Sequence, residues 1–142
     1  MNLIVLFTLF FVTLAASPQE KSATKKPSSS TDTAVSLGKK TYLVYCAVCH
    51  GPDGRGAGPA ASALKKPPSD LTTLAKTHDG KFPEEYVAGV VQFGKPYAAH
   101  GAGDMPVWGP VFSRRENGNE AAVRRRIRNL CDYLATLQEK ES

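Results

Sequence analysis

The chain has 142 residues, with 18 Lys+Arg against 13 Asp+Glu, a formal net charge of +5, and three cysteines and three histidines. Only one pair of cysteines stands at ligand spacing, which leaves a structural zinc site without its second pair of ligands. The arginines have no stacking aromatics beside them, which argues against nucleic acid and leaves the basic excess to acidic partners or a solvated face.

From Leu3 to Ala16 every residue is apolar except Thr8 and Thr13. This run is short for a bilayer-spanning helix but has the size of a signal-peptide core. Leu14-Ala15-Ala16-Ser17 supplies small residues for a signal peptidase. Met1-Asn2 brings no Lys or Arg, so residues 1–16 read as a signal peptide or as an uncleaved anchor. Either way the domain is expected outside the cytoplasm, in the periplasm or an equivalent space.

Residues 17–35 are rich in Ser, Thr, Lys and Pro and have almost no bulky apolar side chains. They cannot bury enough surface to offset their ordering entropy, so they read as a disordered linker, or as a membrane tether if the leader is retained. Residues 36–142 remain as one domain of about 105 residues, a size that buries only about two-thirds of its unfolded surface.

The first helix is expected from about Thr33 to Val48, with Val35, Leu37, Leu43 and Val44 as apolar positions and Asp32-Thr33 as N-cap. It carries Cys46-Ala47-Val48-Cys49-His50. Two thiols and an imidazole at this spacing read as a covalent haem attachment site. Each cysteine can reach a vinyl group on one porphyrin edge, and the histidine can direct a ring nitrogen at the iron. The cysteine pair alone also admits a thioredoxin-like redox pair or half of a zinc site. No βαβ pattern surrounds it, and no second ligand pair follows it.

A Gly- and Pro-dense stretch from Gly51 to Ser69 would wrap a cofactor edge. Ser69 or Asp70 is expected to cap a short helix through Lys76, and His78 precedes a turn at Asp79-Gly80. Pro83-Glu84-Glu85 opens a helix to about Gln92. A loop over Lys95–Pro110 follows, holding Met105, the only methionine besides Met1, next to the rigid Pro106. A thioether pairs with histidine at c-type haem iron, so Met105 is the candidate second ligand; a gap-filling core methionine is the alternative. His100 and His78 are the alternatives for a bis-histidine site, each better read as a surface or hydrogen-bonding residue. Val111-Phe112 begins a further short element.

The last helix is marked by Val123, Ile127, Leu130, Leu134 and Leu137 at intervals of four and three, with Asn119 as cap. Cys131 neighbours Leu130 on its buried side and reads as an inert thiol. Arg114, Arg115, Arg124, Arg125, Arg126 and Arg128 form the densest charge cluster, a solvated face or a docking patch. No useful strand-type alternation appears, so the expected fold is all-α.

With these residues placed, the chain resembles the class I (monohaem) c-type cytochromes of bacteria over residues 36–138. Gly38 and Tyr42 match the glycine and aromatic of that family's first helix, and Leu130, Tyr133 and Leu134 match its last. The resemblance implies a cytochrome c-like fold in which those two helices cross at near right angles around one haem. It implies that the carbonyl of Pro67 or Pro68 accepts a hydrogen bond from the proximal histidine, and that Trp108 lies against the haem.

The reading is therefore one haem c, bonded through Cys46 and Cys49, with His50 and Met105 as its iron ligands. An iron with both axial positions filled suits outer-sphere electron transfer rather than oxygen activation. The expected function is one-electron cycling between ferric and ferrous states in a respiratory or other redox chain, with no catalytic residue assigned. The alternatives are a haem subunit of a larger oxidoreductase and a ligand-binding or peroxidatic haem protein with a labile Met105. The expected partners are redox proteins, acidic ones in the docking-patch reading, meeting the haem edge.

Overall fold

Capping chemistry decides where the helices start. The computed structural model describes residues 29–94 and 105–139, which form five α-helices. The leader, the linker up to residue 28, His100 and the first part of the methionine loop lie outside the described residues. Among the described residues there is no strand, and the fold is all-α.

Helix α1 spans Ser30–Tyr45 and begins before its apolar pattern does. Ser29 is the N-cap: its Oγ accepts from the Asp32 N–H at 3.1 Å, while Asp32 Oδ2 accepts from the Ser29 N–H at 3.2 Å. This reciprocal capping box puts Asp32 at the third helical position rather than at the cap. Residues 30–35, expected from composition to end the linker, are helical.

The same helix also stops early. Cys46 interrupts it, and the motif continues as a separate turn, α2 (Ala47–His50). The Cys46 carbonyl accepts from both Cys49 N–H (3.1 Å) and His50 N–H (2.9 Å), which tightens the chain around the two cysteines.

Asp70, not Ser69, caps the next element: its Oδ1 accepts from the Thr72 N–H at 2.8 Å. That element is a single 3-10 turn, Leu71–Thr73, shorter than the helix expected to Lys76. Helix α3 (Glu84–Phe93) has Pro83 as N-cap, two acids in its first turn and Gly94 after its end. Helix α4 (Gly109–Arg115) carries Pro110 in its first turn, so the methionine loop ends at Trp108. Helix α5 (Glu120–Thr136) has Asn119 as cap, with Oδ1 accepting from the Ala122 N–H at 3.0 Å. Its spaced residues Val123, Ile127, Leu130 and Leu134 are all buried, each worth about 1.5–3 kcal/mol of apolar transfer.

The most extensive helix contact is α1 on α5. A Cβ at Gly38 would lie 1.8 Å from the Asn129 carbonyl oxygen, so only glycine lets the two backbones meet there. Beside this contact, Tyr42 and Tyr133 place their ring centroids 5.4 Å apart. Tyr42 is wholly buried, and its hydroxyl donates to the Gly51 carbonyl at 2.6 Å. Helices α3 and α4 pack on α5 and complete one core.

Past α5, the chain ties back to the turn after Asp70. Gln138 Nε2 donates to the Leu71 and Leu134 carbonyls at 2.8 and 2.9 Å, and its Oε1 accepts from the Ala75 N–H at 2.8 Å. The Glu139 N–H donates to the Thr72 carbonyl at 2.9 Å, and the Glu139 carboxylate meets Arg55 at 2.9 Å. The loop that faces His50 is thereby fastened to the last helix.

Candidate functional site

A cavity of about 230 Å³ opens between α1–α2, the loop at Pro67–Ser69, α3 and the segment before α4. Cys46, Cys49 and His50 line it from the motif, and Met105 lines it from the loop. The structure thus brings together all four residues singled out in the sequence. Much of the remaining wall is apolar: Leu71, Val87, Val91, Leu130 and Leu134 among others. Trp108 lies in the wall as well. Tyr45 and Tyr86 also line it, and no motif pointed to them; the one cue is an aromatic residue directly before Cys46.

His50 is 6% exposed. Its Nδ1 stands 3.0 Å from the Ser69 carbonyl. A carbonyl only accepts, so Nδ1 carries the proton and the lone pair sits on Nε2. Burial lowers the pKa of the ring, with the Ser69 bond pulling the other way, so the neutral, metal-ligating form is favoured. The accepting group is Ser69 and neither Pro67 nor Pro68. The Pro68 carbonyl lies instead over Gly56, 2.4 Å from where a Cβ would stand. A hydrogen bond of this kind orients a ligating imidazole and raises its basicity.

Burial, and next the neighbouring Cys49, push the Cys46 thiol up to about 12. A disulfide oxidoreductase needs the reverse, a thiol ionised near neutral pH. Among the described residues, no group of three or more His, Cys, Asp or Glu side chains is placed to hold a metal ion alone. His78 does not join the site. Its Nδ1 donates to the Leu74 carbonyl at 2.8 Å, and its ring rests near Tyr86.

The donor set fits a porphyrin better than a bare ion. Two thiols lie within one helical turn, beside a neutral imidazole of fixed tautomer, and a soft thioether borders the same apolar cavity. The comparison with known families agrees. Residues 33–122 match the family described as cytochrome c oxidase, cbb3-type, subunit III. The chain belongs to that family. It is a class I-like c-type cytochrome domain with an electron-transfer role. The match runs through α1 to α4 and ends inside the first turn of α5, so the contact at Gly38 rests on the structure. No curated protein and no solved structure matches the chain.

Cys131 of this cytochrome domain is 1% exposed, and its thiol points to the Glu84 carbonyl at 3.9 Å. Burial, then the charges of Glu84 and Asp132, push it up to about 12. Thiol titration of the holoprotein is expected to find no reactive cysteine in the native state and one in guanidinium. Three in guanidinium would mean that Cys46 and Cys49 carry no thioether bonds. The raised pKa also favours the folded state up to about the ordinary thiol value of 9.0. That contribution fades as pH rises toward 12, because the unfolded thiol ionises first. Cys131→Ser is expected to flatten this alkaline loss and leave the visible spectrum unchanged.

Proposed function

We propose that the domain is a one-electron carrier outside the cytoplasm, with one haem c bonded through Cys46 and Cys49 and ligated by His50 and Met105. The observation that carries this is the convergence of these four side chains on one apolar cavity, with His50 held by Ser69. Haem supplies reversible one-electron exchange at iron. The protein's part is to keep the imidazole neutral and oriented, to present a neutral sulfur from beside Pro106, and to exclude water with an apolar wall. Held there, haem would take His50 and Met105 as its protein ligands; a thioether paired with an imidazole would raise its potential and leave substrate no vacant position at the iron. No catalytic residue is assigned.

A second reading has an observation of its own. The family match favours service as the haem subunit of a terminal oxidase, handing electrons to a catalytic chain. A leader over residues 1–16 and a linker over 17–35, as read from the sequence, would serve either reading. No helix among the described residues is long and apolar enough to cross a membrane. Co-purification with an oxidase chain decides between carrier and subunit.

A pyridine haemochrome assay with intact mass on the exported protein tests the cofactor. One haem per chain, stable to acid extraction, is expected. Met105→Ala tests the ligand. The variant is expected to bind carbon monoxide in the ferrous state and to lose at least about a tenth of the ~0.8 V span that axial ligands cover. Survival of the near-infrared sulfur-to-iron band in that variant would remove Met105 from the ligand set.

A further inference from the structure

Tyr45 faces two cavities. One is the haem cavity; the other is a separate groove of about 450 Å³ formed by α1, α4 and the first half of α5. Four cations line this groove, Lys40, Arg115, Arg125 and Arg126, against one carboxylate, Glu116. Glu116 is engaged by Arg126, whose Nε donates to it at 2.9 Å, leaving the other three charges uncompensated by it. The aliphatic residues of the lining are exposed: Leu37 at 46% and Val44 at 66%. Exposed aliphatic side chains ringed by one sign of charge are the anatomy of a docking site, where charge steers the encounter and the apolar centre holds it.

The wall behind the groove is aromatic. Tyr45 meets Trp108 at 5.1 Å and Phe112 at 5.2 Å between ring centroids, and Arg115 lies over the Tyr45 ring at 5.8 Å. Tyr45 lines both the groove and the haem cavity, so a partner seated in the groove touches a side chain that reaches the other side.

Resting on the haem reading above, we propose that this groove is the docking site of an acidic one-electron redox protein and that Tyr45 is the contact through which the electron passes. One electron leaves the partner's donor group and reduces the ferric iron, and the partner is left oxidised by one electron. No bond is made or broken. A protein is favoured over an anionic membrane because four cations and two exposed aliphatic side chains are gathered in one groove, which matches a compact acidic patch with an apolar centre rather than an extended anionic plane. Arg114, Arg124 and Arg128 do not line the groove, and Arg124 pairs with Glu120. The arginine cluster therefore divides into a docking part and a solvated part.

The test uses the haem-loaded full chain and reduced plant-type ferredoxin, an acidic one-electron donor of low potential. Carbodiimide joins lysine amines to carboxylates, and peptide mapping is expected to link Lys40 to the ferredoxin. Stopped-flow reduction at low ionic strength is expected to slow about tenfold in Arg115→Glu/Arg125→Glu, and the gap is expected to close at about 0.5 M salt. Lys76→Glu/Lys81→Glu makes the same change in net charge away from the groove and is expected to slow less than about twofold. Equal slowing in both variants, or cross-links confined to Lys76 and Lys81, overturns the proposal. So does an Arg115→Glu/Arg125→Glu protein that loses phosphatidylglycerol vesicle binding while its ferredoxin rate is unchanged. The haemochrome assay on each preparation separates the two levels. Full haem with unchanged rates and no Lys40 cross-link sinks the docking site alone, whereas missing haem sinks the reading beneath it.

Discussion

Gly38→Ala is expected to lower the thermal midpoint of the holoprotein by about 15 °C. The added methyl would stand 1.8 Å from the Asn129 carbonyl oxygen, 2.6 Å from its carbon and 2.9 Å from Tyr133 Cβ. Two of these neighbours are backbone, so no rotamer change relieves the overlap, and α1 must lift away from α5. Overpacking in a close contact costs about 1–3 kcal/mol, with the upper end fitting a backbone clash. For a domain of this size each kcal/mol moves the midpoint by roughly 5 °C. The sign is the informative part. Ala is favoured over Gly within a helix by about 1 kcal/mol, so without the close approach the same change would stabilise. A midpoint that holds or rises means that α1 and α5 do not meet at Gly38.

His50→Ala is expected to reduce the yield of coloured, folded protein at least about tenfold. The substitution removes the proposed proximal ligand, takes from the Ser69 carbonyl its hydrogen-bond partner at 3.0 Å, and leaves a void in a wall that is 6% exposed at this residue. The Ser69 carbonyl is half-buried, so losing its partner costs about 1 kcal/mol, the low end for such groups, and the void adds to that. Free imidazole supplied during maturation can refill the void and is expected to restore part of the low-spin absorption. Full colour with an unchanged spectrum in the unsupplemented variant would remove His50 from the site. Recovery of fold without recovery of the spectrum would make its role structural.

The extent to which this architecture is legible in the sequence varies by element, for physical reasons. Helix α5 reads cleanly because its buried stripe repeats at four and three residues and Asn119 caps it as expected. Cys46, Cys49, His50, Met105 and Trp108 could be singled out because their residue types are rare in this chain, and the structure sets all five in the wall of one cavity. The start of α1 is hidden in Ser- and Thr-rich sequence that resembles the linker. The decisive signal is the spacing of Ser29 and Asp32, whose side chains cap each other's backbone. The break at Cys46 leaves no mark in the apolar pattern; it shows only in the backbone, where the Cys46 carbonyl accepts from both the Cys49 and the His50 N–H. The identity of the group facing His50 is a matter of loop torsions. Pro67, Pro68 and Ser69 are adjacent, and which carbonyl turns inward is settled by where the chain meets Gly56. Gln138 belongs to no periodic pattern either, because its three hydrogen bonds go to backbone groups that any sequence would supply.

The fastening by Gln138 has a consequence for the order of events in biogenesis. Its bond to Leu71 spans 67 residues, and the bond to Ala75 spans 63. A chain that folds as it emerges from its N-terminus presents Cys46 and Cys49 before Leu130 and Leu134, which line the same cavity, and before Gln138, which ties Leu71 and Ala75 to the end of α5. The wall opposite the motif therefore stays incomplete until the last residues of the chain have been delivered.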